Sequence, residues 1–497
     1  MATPRSDGLS KTLLLKGLQC PKALWLAKHP PDFPFPPQPD LEARFKAGTE
    51  VGQLAQQLFP GGVEVPYEGL SVAEQVAQTR ALLDAGASVI YEASFVCDGV
   101  FVKVDILVRD GAGWQIHEVK MGTAVKPVNL DDVAIQYFVL TGCRLTVGGA
   151  FLVHINNQYV RQGEIDVRQL FSGEDVLAEV LARQAALPQA IAALRTVLQG
   201  AGEPAIDIGP HCSDPYDCDF IPYCWRHIPA NSIFDLRGNG VKKWELYRQG
   251  ILRQEEIPRE LLNPAQRQQV EATLHQQDSI SPAGVRAFLA TLWYPLAHLD
   301  FETFNYPIPL FDGTRPYQQV PFQYSLHLQA APGAEPQHFE YLARPGVDPR
   351  RALAETLLAA IPADACVLTY NQAFEKGVLR DLAARLPDLA PAIETRLANV
   401  RDLMVPFRRR DVYRWQMAGS YSIKEVLPAM VPELSYQGMA IADGQAAMDA
   451  YHRMCALADG EELETLRAAM LAYCRMDTLA MVRILGELEE VGDIKST

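Results

Sequence analysis

The chain has 497 residues, of which 48% are hydrophobic and 21% charged, so it is too long for one hydrophobic core and is expected to form two or three soluble globular domains. Its net charge of −15 argues against a protein that coats nucleic acid non-specifically, because that mode of binding needs many contacts between basic side chains and phosphates. The sequence has no apolar run of about 18 residues and no signal-peptide core at its start, which predicts a cytoplasmic protein that does not contact membranes.

The first predicted element is an amphipathic helical stretch from Ser10 to Lys28, which carries Cys20 directly before Pro21. Three further cysteines follow much later at equal spacing: Cys212, Cys218 and Cys224. One distant cysteine and three clustered ones indicate a metal-ligand set, and packing as small buried residues is the alternative. Four thiolates suit a [4Fe–4S] cluster or structural zinc. Because zinc sites usually contain C-x-x-C pairs, which this sequence lacks, the cluster is favoured over zinc.

A β-hairpin is the central prediction for the N-terminal half. The run from Phe101 to Val108 is apolar and β-branched, a Gly-containing turn follows, and the run from Trp114 to Lys120 alternates. Glu118 and Lys120 are two residues apart and share one face of their strand, while Asp105 lies on the neighbouring strand. Two carboxylates can hold Mg²⁺ or Mn²⁺, and the lysine can orient a water or offset phosphate charge. A surface hairpin with a solvated Glu/Lys pair is the alternative.

The segments around this hairpin complete the predicted domain. A helix that opens near Lys46 carries Glu50, which is either a further metal ligand or a solvent-facing side chain. A helix from Asp131 places Gln136 and Tyr137 within reach of the same site. Beyond it the sequence predicts a strand from Val147 to His154 and a long helical stretch from Gly173 to Gly200.

Taken in order, the early cysteine, the G-T-E-V-G run at 48–52, the D…E-V-K hairpin, the Gln-Tyr pair and the three late cysteines resemble a known family. This is the RecB-like branch of the PD-(D/E)XK nucleases, in particular the AddB-type helicase-nuclease subunits and the CRISPR adaptation exonucleases with an iron–sulfur staple. The resemblance covers about the first 225 residues. It implies a catalytic set of Asp105, Glu118 and Lys120, auxiliary residues Gln136 and Tyr137, and cluster ligands Cys20, Cys212, Cys218 and Cys224.

A connecting region is predicted between the two halves, from about residue 231 to 292. Its residues 235–251 resemble a helix-hairpin-helix, a motif whose Gly-rich turn presents backbone N–H groups to a DNA phosphate. A helical linker is the alternative, and prolines punctuate the rest of the region.

A second set of acids follows in the C-terminal part. The predicted strand from Leu296 to Thr303 carries Asp300 and Glu302 on one face. The apolar strand from Ala365 to Tyr370 leads into a helix that begins with Glu375, and Tyr473 lies one helical turn before Asp477. Four such acids can bind two metal ions about 4 Å apart, one activating water and the other stabilising the leaving oxygen.

This arrangement resembles the DEDD exonucleases of the RNase H-like fold. By motif, Asp300 and Glu302 match the first signature, Glu375 the second and Asp477 the third. Tyr473 matches the water-orienting tyrosine of the DEDDy branch.

A basic run with interleaved aromatic residues lies between the last two motifs: Arg408, Arg409, Arg410, Arg414 and Lys424, with Phe407, Tyr413 and Trp415. Arginine side chains bind phosphates and aromatic rings stack on unpaired bases, so the run predicts single-strand binding. A solvated basic face is the alternative.

The sequence therefore predicts an α/β protein. It would comprise a PD-(D/E)XK restriction-endonuclease-like domain with an iron–sulfur staple (1–230), a helical linker (231–292) and an RNase H-like, DnaQ-like domain (293–497). This pairing resembles a group of bacterial proteins catalogued only under a domain of unknown function. The expected function is a Mg²⁺- or Mn²⁺-dependent nuclease acting on single-stranded or end-containing DNA in repair, recombination or defence, with a helicase partner left open. The alternatives are an RNA 3′–5′ exonuclease and a non-catalytic nucleic-acid-binding adaptor.

Overall fold

Two units of mixed α/β structure make up the chain, in agreement with the predicted class. The structure is a computed structural model that describes residues 8–36, 40–458 and 460–493. One unit comprises residues 1–227 with 306–318, and the other comprises 228–305 with 319–497. The region predicted as a linker, 231–292, thus falls within the second unit. In the described part of the chain, no helix combines the length and the apolar character that crossing a bilayer needs.

The N-terminal unit is built on a seven-stranded sheet, ordered β2-β3-β4-β5-β6-β7, with β1 pairing in parallel with β4. Its strands are β1 (Leu9–Ser10), β2 (Val63–Glu64), β3 (Val89–Cys97), β4 (Val100–Asp110), β5 (Gly113–Lys120), β6 (Val147–Ile155) and β7 (Phe171–Asp175). The hairpin of β4 and β5 is present as predicted, and β6 pairs in parallel with β5 after a helical crossover. The interior of the sheet is apolar, which fits its burial by helices.

Helices of this unit are α1 (Lys11–Gln19), α2 (Pro21–Lys28), α3 (Asp40–Gln56), α4 (Val72–Asp84), α5 (Pro127–Gly142), α6 (Val167–Leu170), α7 (Leu177–Gln184), α8 (Leu187–Gln199) and α9 (Ile221–Cys224). The predicted stretch from Ser10 to Lys28 is two helices, because Pro21 lacks the N–H that would continue the first one, and extended Cys20 joins them. The stretch predicted as helical from Gly173 to Gly200 is also divided, since its first residues form β7 and only α7 and α8 are helical.

The C-terminal unit contains a five-stranded sheet ordered β11-β10-β9-β12-β13 and a small pair of β14 with β8. The strands are β8 (Ser279–Ile280), β9 (Leu296–Phe304), β10 (Val320–Gln329), β11 (Gln337–Leu342), β12 (Cys366–Thr369), β13 (Val400–Asp402) and β14 (Val412–Tyr413). The helices are α10 (Lys243–Arg248), α11 (Pro264–His275), α12 (Pro282–Leu289), α13 (Arg350–Ala360), α14 (Gln372–Arg385), α15 (Ala390–Ala398), α16 (Val405–Arg408), α17 (Ile423–Met430), α18 (Gly444–Ala456) and α19 (Glu461–Asp493). Strands β9, β10 and β11 are antiparallel, whereas β12 and β13 run parallel to β9.

The region that resembles a helix-hairpin-helix has a single α-helix between residues 235 and 251, namely α10. The helix expected before the glycines is a short 3₁₀ turn over Ile233–Asp235. Gly238 and Gly240 both have positive φ, which favours glycine and forms the turn that precedes α10.

Side chains of β9 alternate between two layers of the C-terminal unit. Ala297, Leu299 and Phe301 pack in the core formed with α13 and α14. Leu296 packs in a second core that includes the apolar face of α19. Asp300 and Glu302 have the same parity as Leu296, so the strand directs both acids toward the layer that contains α19.

His298 shares that parity and is fully buried, and neither of its ring nitrogens has a hydrogen-bond partner. Burial, with a smaller contribution from neighbouring His327, lowers the pKa of His298 to about 3. The folded chain thus keeps this imidazole neutral at pH values where the unfolded chain protonates it. The contribution of His298 to the free energy of unfolding is complete above about pH 6.5, the pKa of histidine in the unfolded chain. This contribution is lost as the pH falls toward 3.

We expect the substitution His298→Leu to weaken the acid sensitivity of the C-terminal unit. Between pH 7.5 and 5, the free energy of unfolding should fall by about 2 kcal/mol less in the variant than in the wild-type protein, because a proton bound on unfolding is removed. Urea unfolding at several pH values measures this difference. His275→Leu, at the exposed end of α11, is the control and should retain the wild-type pH slope; equal slopes in all three proteins would contradict the prediction.

Candidate active sites

The Asp105 side chain accepts a backbone hydrogen bond at the position where the pairing of β4 with β5 ends. The ladder of β4 and β5 runs from the pair Asp110 and Gly113 to the pair Ile106 and His117, where it ends. At the next position the Asp105 carboxylate accepts a hydrogen bond from the backbone N–H of Val119, at 2.7 Å. This contact fixes the carboxylate at the end of the ladder, beside the strand that carries Glu118.

Glu118 is 2% exposed and is the centre of a polar network in the N-terminal unit. Its Oε1 accepts hydrogen bonds from Lys120 Nζ at 2.6 Å and from Lys11 Nζ at 2.9 Å. Its Oε2 accepts a bond from Gln136 Nε2 at 2.7 Å. The structure thus brings together the predicted residues Glu118, Lys120 and Gln136, and it adds Lys11, which sequence reasoning missed.

Asp132 is a second residue that sequence reasoning missed. Its carboxylate lies 2.7 Å from Lys11 Nζ and 2.7 Å from Lys120 Nζ, and it accepts a 2.9 Å bond from Gln136 Nε2. Asp132 is buried one turn before Gln136 on α5, so helical i,i+4 spacing could have identified it. Lys11 carries no such signal, because it lies 107 residues from Glu118.

The network sets the charge state of its members. Burial raises the pKa of Glu118, and the charges of Asp105 and Asp132 raise it further, to about 7. Burial would also raise the pKa of Asp132, but the ammonium groups of Lys11 and Lys120 outweigh it and lower that pKa. Burial acts to lower the pKa of both lysines, yet the surrounding carboxylates raise it in each. Burial raises the pKa of Asp105 as well.

The remaining predicted residues of this unit occupy different environments. The Gln136 Oε1 atom is buried and has no hydrogen-bond partner, so this amide retains an unused acceptor beside the acids. Tyr137 packs against the apolar core of the sheet. Glu50 is half-buried on α3, a helix that packs against β5.

The four predicted cysteine ligands line one cavity in the N-terminal unit. Cys20 lies between α1 and α2, Cys212 ends a 3₁₀ turn, and Cys224 ends α9. Cys218 donates its backbone N–H to the Cys212 carbonyl at 2.8 Å, which joins the two loops. All four are free thiols, and burial raises the pKa of Cys218 to about 11.

Asp300 and Glu302 of β9 form a compact group with Cys474 of α19 in the C-terminal unit. One ligand atom from each of the three lies within 4.8 Å of the others, and Cys474 Sγ is 3.7 Å from Asp300 Oδ2. Burial and then the charges of Asp477, Glu302 and Glu375 raise the pKa of Asp300 well above its usual range. Burial, followed by the charge of Asp477, raises the pKa of Glu302 to about 8.

Asp477 is 7% exposed, and two tyrosines accompany it. Tyr436, a residue that sequence reasoning missed, donates its hydroxyl to Asp477 Oδ1 at 2.6 Å. Burial raises the pKa of Asp477 to about 6, although bonds from Tyr436 and Tyr473 oppose that rise. Tyr473, the predicted water-orienting residue, is buried beside this acid.

Glu375 lies in the first turn of α14 and is 1% exposed. Its Oε2 atom is buried without a hydrogen-bond partner, and burial raises its pKa to about 8. The charge of buried Asp402, at the end of β13, also raises this pKa. Asp402 accepts bonds from the backbone N–H groups of Asn371 and Met404, so it braces the loop that begins α14.

The basic run near residue 410 differs in part from its prediction. Phe407 and Tyr413 are each 2% exposed, so their rings are unavailable for stacking on bases, and the expectation for these two aromatics is wrong. Both belong to the α16–β14 segment, which buries them to fill the core. Trp415 is half-buried.

Cationic residues of this run have varied surroundings. Arg408 and Arg409 are exposed, and Arg408 lies 3.9 Å from Asp402 Oδ2. Arg410 lies over the Tyr413 ring, and Arg414 pairs with Asp278 at 3.0 Å. Lys424 donates to the Ala442 carbonyl at 2.9 Å, and its charge opposes the raised pKa values of Glu302 and Asp477.

Residues 297–422 match a family model described as "Domain of unknown function (DUF2779)". A search of curated proteins found no match. The matched segment includes Asp300, Glu302, Glu375 and Asp402, and it ends before Tyr473 and Asp477.

We expect Lys11→Met to destabilise the metal-free N-terminal unit by roughly 3–5 kcal/mol, because it leaves buried Glu118 and Asp132 with one fewer counter-ion. Mn²⁺ should then raise the melting temperature of the variant more than that of the wild-type protein, since a divalent cation can replace the lost charge. Thermal unfolding with and without Mn²⁺ measures both effects.

Lys16→Met is the matched control for this test, because Lys16 lies on the same helix and pairs with exposed Asp219. Surface pairs of that kind contribute about 0–1 kcal/mol, so the control should unfold like the wild-type protein. A Lys11→Met protein as stable as this control would contradict the prediction.

Proposed function

We propose that the protein is a metal-dependent nuclease with two hydrolytic sites, one in each unit. The observation that carries this proposal is the C-terminal group of four acids, of which Glu302, Glu375 and Asp477 are buried and Asp300 is half-buried. They come from β9, α14 and α19, burial raises the pKa of each, and repulsion from other acids of the group adds to the rise at Asp300 and Glu302. Burying acids together is costly unless a cation joins them, so their burial favours a divalent-metal site over a structural role.

Oxygen-rich ligand sets of this kind suit Mg²⁺ or Mn²⁺, which would activate water and stabilise the leaving oxygen of a phosphodiester. Within the chain, Tyr436 and Tyr473 hold Asp477 in place by hydrogen bonds. Lys424 supplies positive charge near the acids, where it can offset the charge of a phosphate.

In the N-terminal unit, Asp105 and Glu118 are the carboxylates that would hold a metal ion. The two lysines that now neutralise the acids remain protonated over the whole working range of pH, so they can attract a phosphate when a cation takes their place on Glu118. Gln136 holds both Glu118 and Asp132 and thus fixes the spacing of the acids.

The cysteine cavity favours an iron–sulfur cluster over zinc. Zinc sites usually contain C-x-x-C pairs, which this sequence lacks, whereas four thiolates from separate segments also suit a [4Fe–4S] cluster. Cys20, Cys212, Cys218 and Cys224 come from distant parts of the chain and line the same cavity.

DNA is the favoured substrate, with RNA and binding without hydrolysis as the alternatives. The resemblance of the N-terminal half to DNA-processing nucleases favours DNA, and the presence of all the expected acids in both units favours hydrolysis over a purely adaptor role. The acidic net charge is consistent with a protein that binds a single strand or a free end through a small number of phosphate contacts.

The central test compares Asp105→Asn with Asp300→Asn on labelled single-stranded DNA, duplex DNA with free ends, and RNA, with Mg²⁺ or Mn²⁺. Each variant should lose roughly 10²-fold or more of the hydrolysis assigned to its site, and the double variant should lose all of it. Asp131→Asn and Asp388→Asn are matched controls, because each pairs with a surface arginine. Turnover of RNA alone would transfer the proposal to the RNA alternative, and binding without turnover would favour the adaptor.

A separate prediction concerns the cluster. Protein purified without oxygen should be brown and contain about four irons, whereas Cys20→Ser and Cys218→Ser should lose the visible absorption and most of the iron. Cys97→Ser, a cysteine outside the cavity, is the control. Zinc in place of iron in the wild-type protein would contradict this assignment while leaving the nuclease proposal intact.

A further inference from the structure

The thiol of Cys474 has an unusual environment for a buried cysteine. Cys366, which is also fully buried in this unit, packs among apolar residues such as Leu296 and Leu368. Cys474 instead lies beside the carboxylates of Asp300 and Glu302. An apolar packing role does not account for a thiol placed among acids.

We propose that Cys474 is a metal ligand, and that together with Asp300 and Glu302 it makes the C-terminal site bind a thiophilic divalent cation of the Zn²⁺, Co²⁺ or Cd²⁺ class. This inference rests on the proposed function, because it uses the same acids, and it replaces Mg²⁺ or Mn²⁺ with a softer cation at the position that Cys474 ligates. Thiolates favour softer metals, whereas an all-oxygen set favours Mg²⁺ and Mn²⁺.

The distances in the group fit one shared ion. Zinc binds a thiolate sulfur at about 2.3 Å and a carboxylate oxygen at about 2.0–2.2 Å, so a tetrahedral angle places these two atoms about 3.5–3.7 Å apart. The observed separation of Cys474 Sγ and Asp300 Oδ2 is 3.7 Å. An ion can therefore contact both atoms without movement of the backbone.

A second observation points to a ligand at this place. Glu375 is 1% exposed, and its Oε2 atom has no hydrogen-bond partner. Its charge also raises the pKa of Asp300, so the two acids lie close enough to repel each other. A cation bound by Asp300, Glu302 and Cys474 would supply the missing positive partner for this buried acid.

Metal binding by the Cys474 thiol exchanges a proton for a metal ion and requires no oxidant or reductant. In the structure the thiol contacts Asp300 as a hydrogen-bond donor. When a divalent ion binds, the metal–sulfur bond forms, the S–H bond breaks and the thiol proton passes to solvent, together with any proton held by Asp300 or Glu302, and no electron moves.

The test uses the full chain, purified without oxygen, and Co²⁺ as the probe. Wild-type protein titrated with Co²⁺ should show thiolate-to-cobalt charge-transfer absorption that Cys474→Ser and Cys474→Ala lose and that Cys366→Ser keeps. Comparing spectra between variants cancels any contribution from the four cysteines of the N-terminal cavity, because those cysteines are present in every protein. Asp300→Asn should weaken the same absorption.

A competition experiment measures the preference itself. Cys474→Ser should lose at least about 10-fold in Zn²⁺ affinity while its Mg²⁺ affinity changes much less. Identical cobalt spectra in the wild-type protein and both Cys474 variants would overturn the inference, and so would equal losses for Zn²⁺ and Mg²⁺.

The outcome for this ligand is separable from the outcome for hydrolysis. Loss of the cobalt band in the Cys474 variants, with no hydrolysis by the wild-type protein in Mg²⁺, Mn²⁺, Zn²⁺ or Co²⁺, would support the ligand and reject the nuclease. Hydrolysis that depends on Asp300, with no cobalt band from Cys474, would reject the ligand and support the nuclease.

Discussion

Buried carboxylates are the constraint on which both units depend. A carboxylate removed from water must gain a cationic partner or a proton, because its solvation in water is otherwise lost without replacement. The N-terminal unit meets this requirement with two lysines, whose ammonium groups bridge Glu118 and Asp132. The C-terminal unit gathers its acids with little cationic charge among them, and the raised pKa values of Asp300, Glu302 and Glu375 are the consequence. Lysine counter-ions thus compensate the buried acids of the N-terminal unit, whereas the acids of the C-terminal unit have raised pKa values.

Local pattern predicted the elements that carry the acids. The β4–β5 hairpin is encoded by alternation and turn residues within about 20 positions, and β9 is encoded by an apolar run with two acids on one face. Glu375 was found because a buried-type strand leads directly into its helix. The length of α19 was not predicted, although its segment around Tyr473 was, because 33 residues of helix depend on packing against β9 and β10 that no local window contains.

Long-range partners could not be predicted in the same way. Three contacts form only after the chain has folded, because no local spacing relates Lys11 to Glu118, Tyr436 to Asp477 or Cys474 to Asp300. Burial of Phe407 and Tyr413 was likewise hidden, since an aromatic residue beside arginines fits both a nucleic-acid surface and a core. The family match has the same limit, because residues 297–422 contain the first three acids and omit the helix that supplies Tyr473, Cys474 and Asp477.

Helix α1 links the two candidate centres of the N-terminal unit. Lys11 is its first residue and contacts Glu118 and Asp132, and Cys20 follows its last residue and lines the cysteine cavity. A helix of nine residues is about 13.5 Å long and stiff on that scale, so its two ends move together. Fixing Cys20 therefore restricts Lys11 as well, and the position of one counter-ion of the buried acids depends on residues near 212–224. A cluster at that end would accordingly serve the acids at a distance, through the geometry of a single helix and without any contact to them.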